Sequence, residues 1–199
     1  FINYNISYIF NVGFVLFFLY LIQVLLGLLI SFFLIFSDNV FFNLHYYKNN
    51  IFFFDLLVFL HCNLANIIFF FIFLHIYKAF LFTDNVNIIV KFVGFIIFVF
   101  YAIICFTGYL LPNGQMSFWG GVVILNLLSV LPYSNIFLLY FFGNFSYSFI
   151  TLKRFYVVHF IVPFILFIFI FLHILLLYLY SHSHNILING YYNINFFTL

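Results

Sequence analysis

The chain has 199 residues, 69% of them hydrophobic, with five basic and three acidic side chains and a net charge of +2. Mean hydropathy is +1.33. Such a surface cannot be hydrated, which excludes a water-soluble globular domain and indicates an integral membrane protein. So small a net charge gives no footprint for nucleic acid or for an acidic partner.

The first apolar span is expected over residues 10–36, long enough to cross a hydrocarbon core of roughly 30 Å. A polar connector follows, with Asp38, Asn39, Asn43, His45, Lys48, Asn49 and Asn50. The second span is expected over 54–82. Thr83, Asp84, Asn85 and Asn87 then form a tight turn into a third span over 88–111, which makes the second and third spans antiparallel neighbours. Next comes Leu111-Pro112-Asn113-Gly114-Gln115-Met116-Ser117-Phe118-Trp119-Gly120-Gly121, an apolar run from Val122 to Leu131, and Pro132-Tyr133. That run is too short to span and is bounded by Pro and Gly, so it reads as a helix along the membrane surface. The fourth span is expected over 155–180. The expected architecture is all-α: a transmembrane four-helix bundle over 1–181, with a surface helix between the third and fourth spans. Residues 182–199 read as a connector towards a missing C-terminal half.

Basic residues do not orient the bundle, because Lys78 and Lys91 lie towards one side and Lys48, Lys153 and Arg154 towards the other. The 39 Phe and 16 Tyr have A/T-rich codons, as do the many Ile and Asn. This fits an organellar genome and warns against reading Phe stripes as functional. Cys62 and Cys105 lie in apolar stretches with no C-x-x-C-H motif, so a covalently attached haem is unsupported, and a disulfide is not expected.

Four histidines form two pairs with one spacing. His61 and His75 are 14 residues apart on the second span, and His159 and His173 are 14 apart on the fourth. Fourteen residues advance a helix by about 21 Å and close to four whole turns. Each pair therefore leaves one helix face at two depths. With alternating crossings, His61 meets His159 at an upper level and His75 meets His173 at a lower one. Glycines repeat the interval: Gly13 and Gly27 on the first span, Gly94 and Gly108 on the third. By the same alternation Gly13 and Gly94 fall at the lower level, and Gly27 and Gly108 at the upper. Without a Cβ, each lets a flat group approach the backbone. Two helices supplying ligands and two supplying a smooth surface make the pattern of two stacked, bis-imidazole haem irons suited to electron transfer. Lys78, three residues after His75, is placed to snorkel to the interface or to pair with a propionate at the lower level. His45, His182 and His184 lie in polar connectors and read as solvated.

The stretch Thr107-Gly108-Tyr109-Leu110-Leu111-Pro112-Asn113-Gly114-Gln115-Met116-Ser117-Phe118-Trp119-Gly120 resembles the cytochrome b family, the haem-bearing subunit of quinol–cytochrome c reductase. So do Asn11, Gly13, Gln23 and Gly27, Leu60-His61-Cys62-Asn63, Thr151-Leu152-Lys153-Arg154-Phe155, His159-Phe160 and Pro163-Phe164. The resemblance covers nearly the whole chain but only the family's haem-binding first half. It implies two non-covalent haem b groups, with His61 and His159 on the upper iron and His75 and His173 on the lower. It further implies a quinol-oxidising pocket lined by Met116, Phe118, Gly121 and Ile124, and quinone reduction on the far side. The implied partners are a Rieske iron–sulfur protein, a cytochrome c1-type subunit and the remaining half of the protein. The setting is a dimer of multi-subunit complexes in the mitochondrial inner membrane.

Three positions depart from the family pattern. Asn113 stands where Trp is usual, Val58 where an Arg usually meets a propionate, and Tyr178 where a His usually contacts quinone. His182 or His184 is a candidate substitute for the last. The alternatives are a di-haem anchor of another quinone-linked oxidoreductase and a haem-free structural subunit. The Gly-Gln-Met-Ser-Phe-Trp segment and the glycine ladder argue against the first, and the matched histidine pairs against the second.

Overall fold

A computed structural model describes residues 12–82 and 87–180, the side chains of 81 and 82 excepted. Asn11, most of the expected turn at 83–86, and the connector with His182 and His184 lie outside the described residues. Every described regular element is helical: α1 Val12–Phe33, α2 Val40–Asn50, α3 Phe54–Phe82, α4 Ile88–Leu110, α5 Gln115–Ser129, α6 Ser134–Phe137 with a π turn Leu138–Phe142, and α7 Phe149–Tyr180. Four of these, α1, α3, α4 and α7, are long and apolar enough to cross a membrane. Their outward faces are apolar and exposed, as at Phe32, Phe70 and Ile168. In lipid that costs nothing, while the helical backbone satisfies its own polar groups.

Punctuation residues set the boundaries. The Asn87 side chain accepts the Ile89 N–H at 2.9 Å and caps α4. Pro112 cannot continue a helix, and Asn113, at φ 51°, turns the chain into α5. α5, at 15 residues, is too short to span a membrane and lies beyond the end of α4. The polar connector after α1 is itself largely helical. The Asn43 amide donates to Ser37 Oγ at 2.8 Å and fixes the corner, and the Lys48–Asp55 ion pair, at 3.0 Å, spans the junction between α2 and α3.

α7 starts at Phe149, six residues before the expected 155. The polar run there has partners inside the protein. Thr151 and Leu152 are buried, with Leu152 in a cluster with Val40, Leu110, Leu125, Leu138 and Phe142. The Arg154 guanidinium donates to the carbonyls of Leu139 and Tyr140 at the π turn. α6 and that turn form an unexpected second arm of the cap, closed by Gly143 at φ +81°.

α1 packs on α3, and α4 on α7. The bundle is thus two antiparallel helix pairs, with one core at the capped end and another at mid-height around Tyr20, Ile68, Tyr101 and Leu166. A Cβ at Gly143 would approach Ile150 to 2.5 Å and Arg154 to 2.9 Å, at a φ that L-residues avoid. Gly143→Ala is expected to cost roughly 1–3 kcal/mol, read as a lowered thermal midpoint in detergent. Gly120→Ala, whose added Cβ meets Tyr109 at an ordinary 3.4 Å, is expected to leave that midpoint unchanged.

A two-level imidazole site

The four histidines meet in two pairs. His61 and His159 have ring centroids 6.2 Å apart and planes at 85°. His75 and His173 are 6.4 Å apart at 70°. A nitrogen–metal bond of about 2.0 Å, added to the roughly 1.1 Å from ring centre to nitrogen, puts two imidazoles on opposite sides of one ion about 6.2 Å apart. Both pairs have that separation. Among the described residues no group of three or more His, Cys, Asp or Glu converges on a metal-sized space.

Each glycine faces a histidine of the neighbouring helix. A Cβ at Gly27 would lie 3.0 Å from His61 Cε1, at Gly13 3.3 Å from His75 Cε1, at Gly94 3.2 Å from His173 Cε1, and at Gly108 2.5 Å from His159 Cε1. α1 therefore cradles both rings of α3, and α4 both rings of α7. The expected smooth surface for a flat group is, at each of these four points, a seat for an imidazole edge.

Behind the seats lie backbone acceptors. His159 Nδ1 donates to the Ile104 carbonyl at 2.9 Å, with Thr107 Oγ1 at 3.5 Å. Ile104 is four residues before Gly108. Gln23, four before Gly27, presents its backbone to His61, and Val90, four before Gly94, does so to His173. In both of these cases Nδ1 falls short of a formed hydrogen bond. The corresponding position for Gly13 is residue 9, outside the described residues. A carbonyl can only accept, so at His159 the proton sits on Nδ1 and the Nε2 lone pair is free for a ligand bond.

The upper pair opens on a cavity of about 690 Å³, lined by Gly27, Gly108, Gln23, Ser31, Asn66, Val58, Met116 and Tyr109 among others. The volume falls within the roughly 300–1,000 Å³ of cofactor pockets. Its lining carries no formally charged side chain. Lys78 lies within electrostatic reach of His75 at the lower level.

The four residues expected to line a quinol pocket do not share one cavity. Met116 borders the large one. Phe118 borders a smaller one of about 360 Å³ beside Asn113 and Trp119. Gly121 is covered by the Tyr147 ring, and Ile124 is half-buried further along α5. Tyr147, which the sequence analysis did not single out, meets Phe118 edge-on at 5.3 Å. Among the described residues its buried hydroxyl has no partner, and burial pushes its pKa up to about 12, so it stays neutral at ordinary pH. Val58 lines the large cavity, and Tyr178 is exposed at the end of α7.

The four membrane-length helices thus bring histidines face to face in two pairs at two depths. Residues 1–181 match the family model described as cytochrome b/b6/petB. Curated relatives include cytochrome b of Mycosarcoma maydis, 36% identical over 166 residues that cover 81% of this chain and 42% of that protein. Cytochrome b of Theileria parva is 34% identical over 165 residues, covering 82% and 45%. A solved structure of a hyperthermophilic respiratory complex III has the same fold, with a TM-score of 0.80 at 24% identity over 90% of this chain and 49% of that one. The chain belongs to the cytochrome b family and spans less than half the length of these curated relatives.

The glycine seats differ in tightness, which orders their tolerance. Gly108→Ala forces His159 to move and is expected to destabilise by roughly 1–3 kcal/mol. Gly13→Ala, with 3.3 Å available, is expected to lie near neutral. Thermal midpoints of the two variants in detergent check the order.

Proposed function

We propose that this chain holds two non-covalent haem b groups and carries electrons across the membrane between quinol and quinone sites, as the haem-bearing part of a quinol–cytochrome c reductase. The observation that carries the reading is the pair of facing imidazole couples, 6.2 and 6.4 Å between centroids, each ring backed by a glycine. His61 and His159 serve the upper level, His75 and His173 the lower. Haem b supplies a one-electron couple at each level.

The chain's own residues do the rest. His61 with His159, and His75 with His173, would hold the two groups, and a pair of imidazoles on each iron would keep substrate off the metal. Neutral imidazole would be the less costly ligand in a membrane. The Ile104 carbonyl holds the His159 proton on Nδ1, which orients the ring and keeps Nε2 available. Apolar helix faces exclude water from both levels. An uncharged upper cavity leaves Gln23, Ser31 and Asn66 as polar neighbours for acidic substituents, where the family pattern has an Arg at Val58. At the lower level Lys78 is the nearby cation.

Quinol oxidation is assigned to the α5 end, with Met116, Phe118, Gly121 and Ile124 around the substrate. The Tyr147 ring must move for a substrate to reach Gly121. Electrons leave towards a Rieske iron–sulfur protein and a cytochrome c1-type subunit. The rest of the family's length comes from a further segment or a separate chain. The setting is a dimeric assembly in the mitochondrial inner membrane, with proton release on one face and uptake on the other.

The test is a reduced-minus-oxidised spectrum of the native assembly, in which two b-type α-bands are expected. His61→Leu or His159→Leu should remove one band, and His75→Leu or His173→Leu the other. A colourless assembly, a single band, or both bands surviving in any of the four variants would refute the assignment.

A further inference from the structure

Two phenols lie buried at mid-height, between the imidazole levels. Tyr20 is 4% exposed and Tyr101 2%. Tyr20 stands seven residues from both Gly13 and Gly27, and Tyr101 seven from both Gly94 and Gly108. Seven residues make close to two helical turns, so each phenol leaves the face its glycines occupy, halfway between them.

Their hydrogen bonds match across the bundle. Tyr20 Oη donates to the Pro163 carbonyl at 2.7 Å, and Tyr101 Oη to the Ala65 carbonyl at 3.0 Å. Pro163 is four residues after His159, and Ala65 four after His61. Four residues further on, Phe167 stacks on Tyr20 at 6.5 Å and 27°, and Phe69 meets Tyr101 at 5.0 Å and 70°. The two phenols are electrostatic neighbours, and the Cys105 thiol lies close to Tyr101.

These bonds run between different helices from the glycine seats. The seats join α1 to α3 and α4 to α7, within each half-bundle. The phenols join α1 to α7 and α4 to α3, from one half to the other. Each acceptor carbonyl lies between the two histidines of its helix. Fixing it limits both the rotation and the sliding of that helix, and so constrains both of its imidazoles together. A buried hydroxyl without a partner would itself be costly in hydrocarbon, which keeps the bonds made.

We propose that Tyr20 and Tyr101 are paired positioning residues, whose hydroxyls hold the two half-bundles in the register that sets both imidazole couples at one-ion spacing. The inference rests on the haem reading above and concerns residues that touch neither iron position.

The test uses the native assembly bearing Tyr20→Phe, Tyr101→Phe, both together, and the corresponding Leu variants. Two readouts apply: the low-spin EPR g-values of both haems, which follow the angle between axial imidazole planes, and the rate of haem loss to an excess of a haem-free globin. Each Phe variant is expected to shift the g-values and to speed haem loss about threefold, the worth of one interhelical hydrogen bond in a membrane. The double variant is expected to approach tenfold. Phe variants matching the parent in both readouts would overturn the proposal. So would damage seen only with Leu, which would make the rings mere packing. A parent assembly without two b-type bands removes the haem reading itself, a failure visible before any tyrosine is changed.

Discussion

The structure depends on imidazole rings seated against bare helix backbone. A Cβ at Gly13, Gly27 or Gly94 would meet a histidine edge at 3.0–3.3 Å, and at Gly108 it would reach the space that the His159 edge now fills, at 2.5 Å. The seat brings two helices close, aims the ring across the bundle, and sets Nδ1 near a carbonyl one turn before the glycine. At His159 that bond is formed at 2.9 Å. Helix packing and ring orientation are therefore one interaction, seen with its carbonyl at His61, His159 and His173.

A membrane interior makes this arrangement effective. Apolar burial gives little preference for one helix pairing over another when lipid is as apolar as the core, so association rests on close packing and interhelical polar contacts. The polar groups in this bundle are few. Histidines and glycines build each half, phenols join the halves at mid-height, and Gln23 donates to the His61 carbonyl at 2.9 Å within the first half. At the capped end Arg154 and Thr151 find backbone and side-chain partners.

The two levels differ in their surroundings. The upper one has an uncharged cavity beneath α5, and the lower one has Lys78 near His75. The positions that depart from the family pattern fall into this contrast. Val58 contributes to the neutrality of the upper cavity. Asn113, with its left-handed backbone and a buried oxygen that has no partner among the described residues, borders the smaller cavity beside it.

Much of the fold was legible because helix geometry is periodic and local. Apolar runs bounded by Asn, Pro and Gly mark the spans, and a 14-residue interval puts two side chains on one face whatever the surroundings. The α2 helix and the early start of α7 were not legible, because Asn43, Thr151, Arg154 and Lys153 look like loop polarity until their partners are known. Tyr147 was missed for a similar reason: only the folded chain lays its ring over Gly121.

By itself the sequence determined that four membrane helices exist, that two carry histidines at matched depths, and that the facing helices are bare at the same interval. All of this follows from the rise and twist of a single helix. Tertiary structure decided what each glycine touches, which carbonyl stands behind each ring, and that Tyr20 and Tyr101 reach across to the opposite half. Those choices depend on how helices distant in the chain rotate and pair, and an interval along one helix carries no information about that.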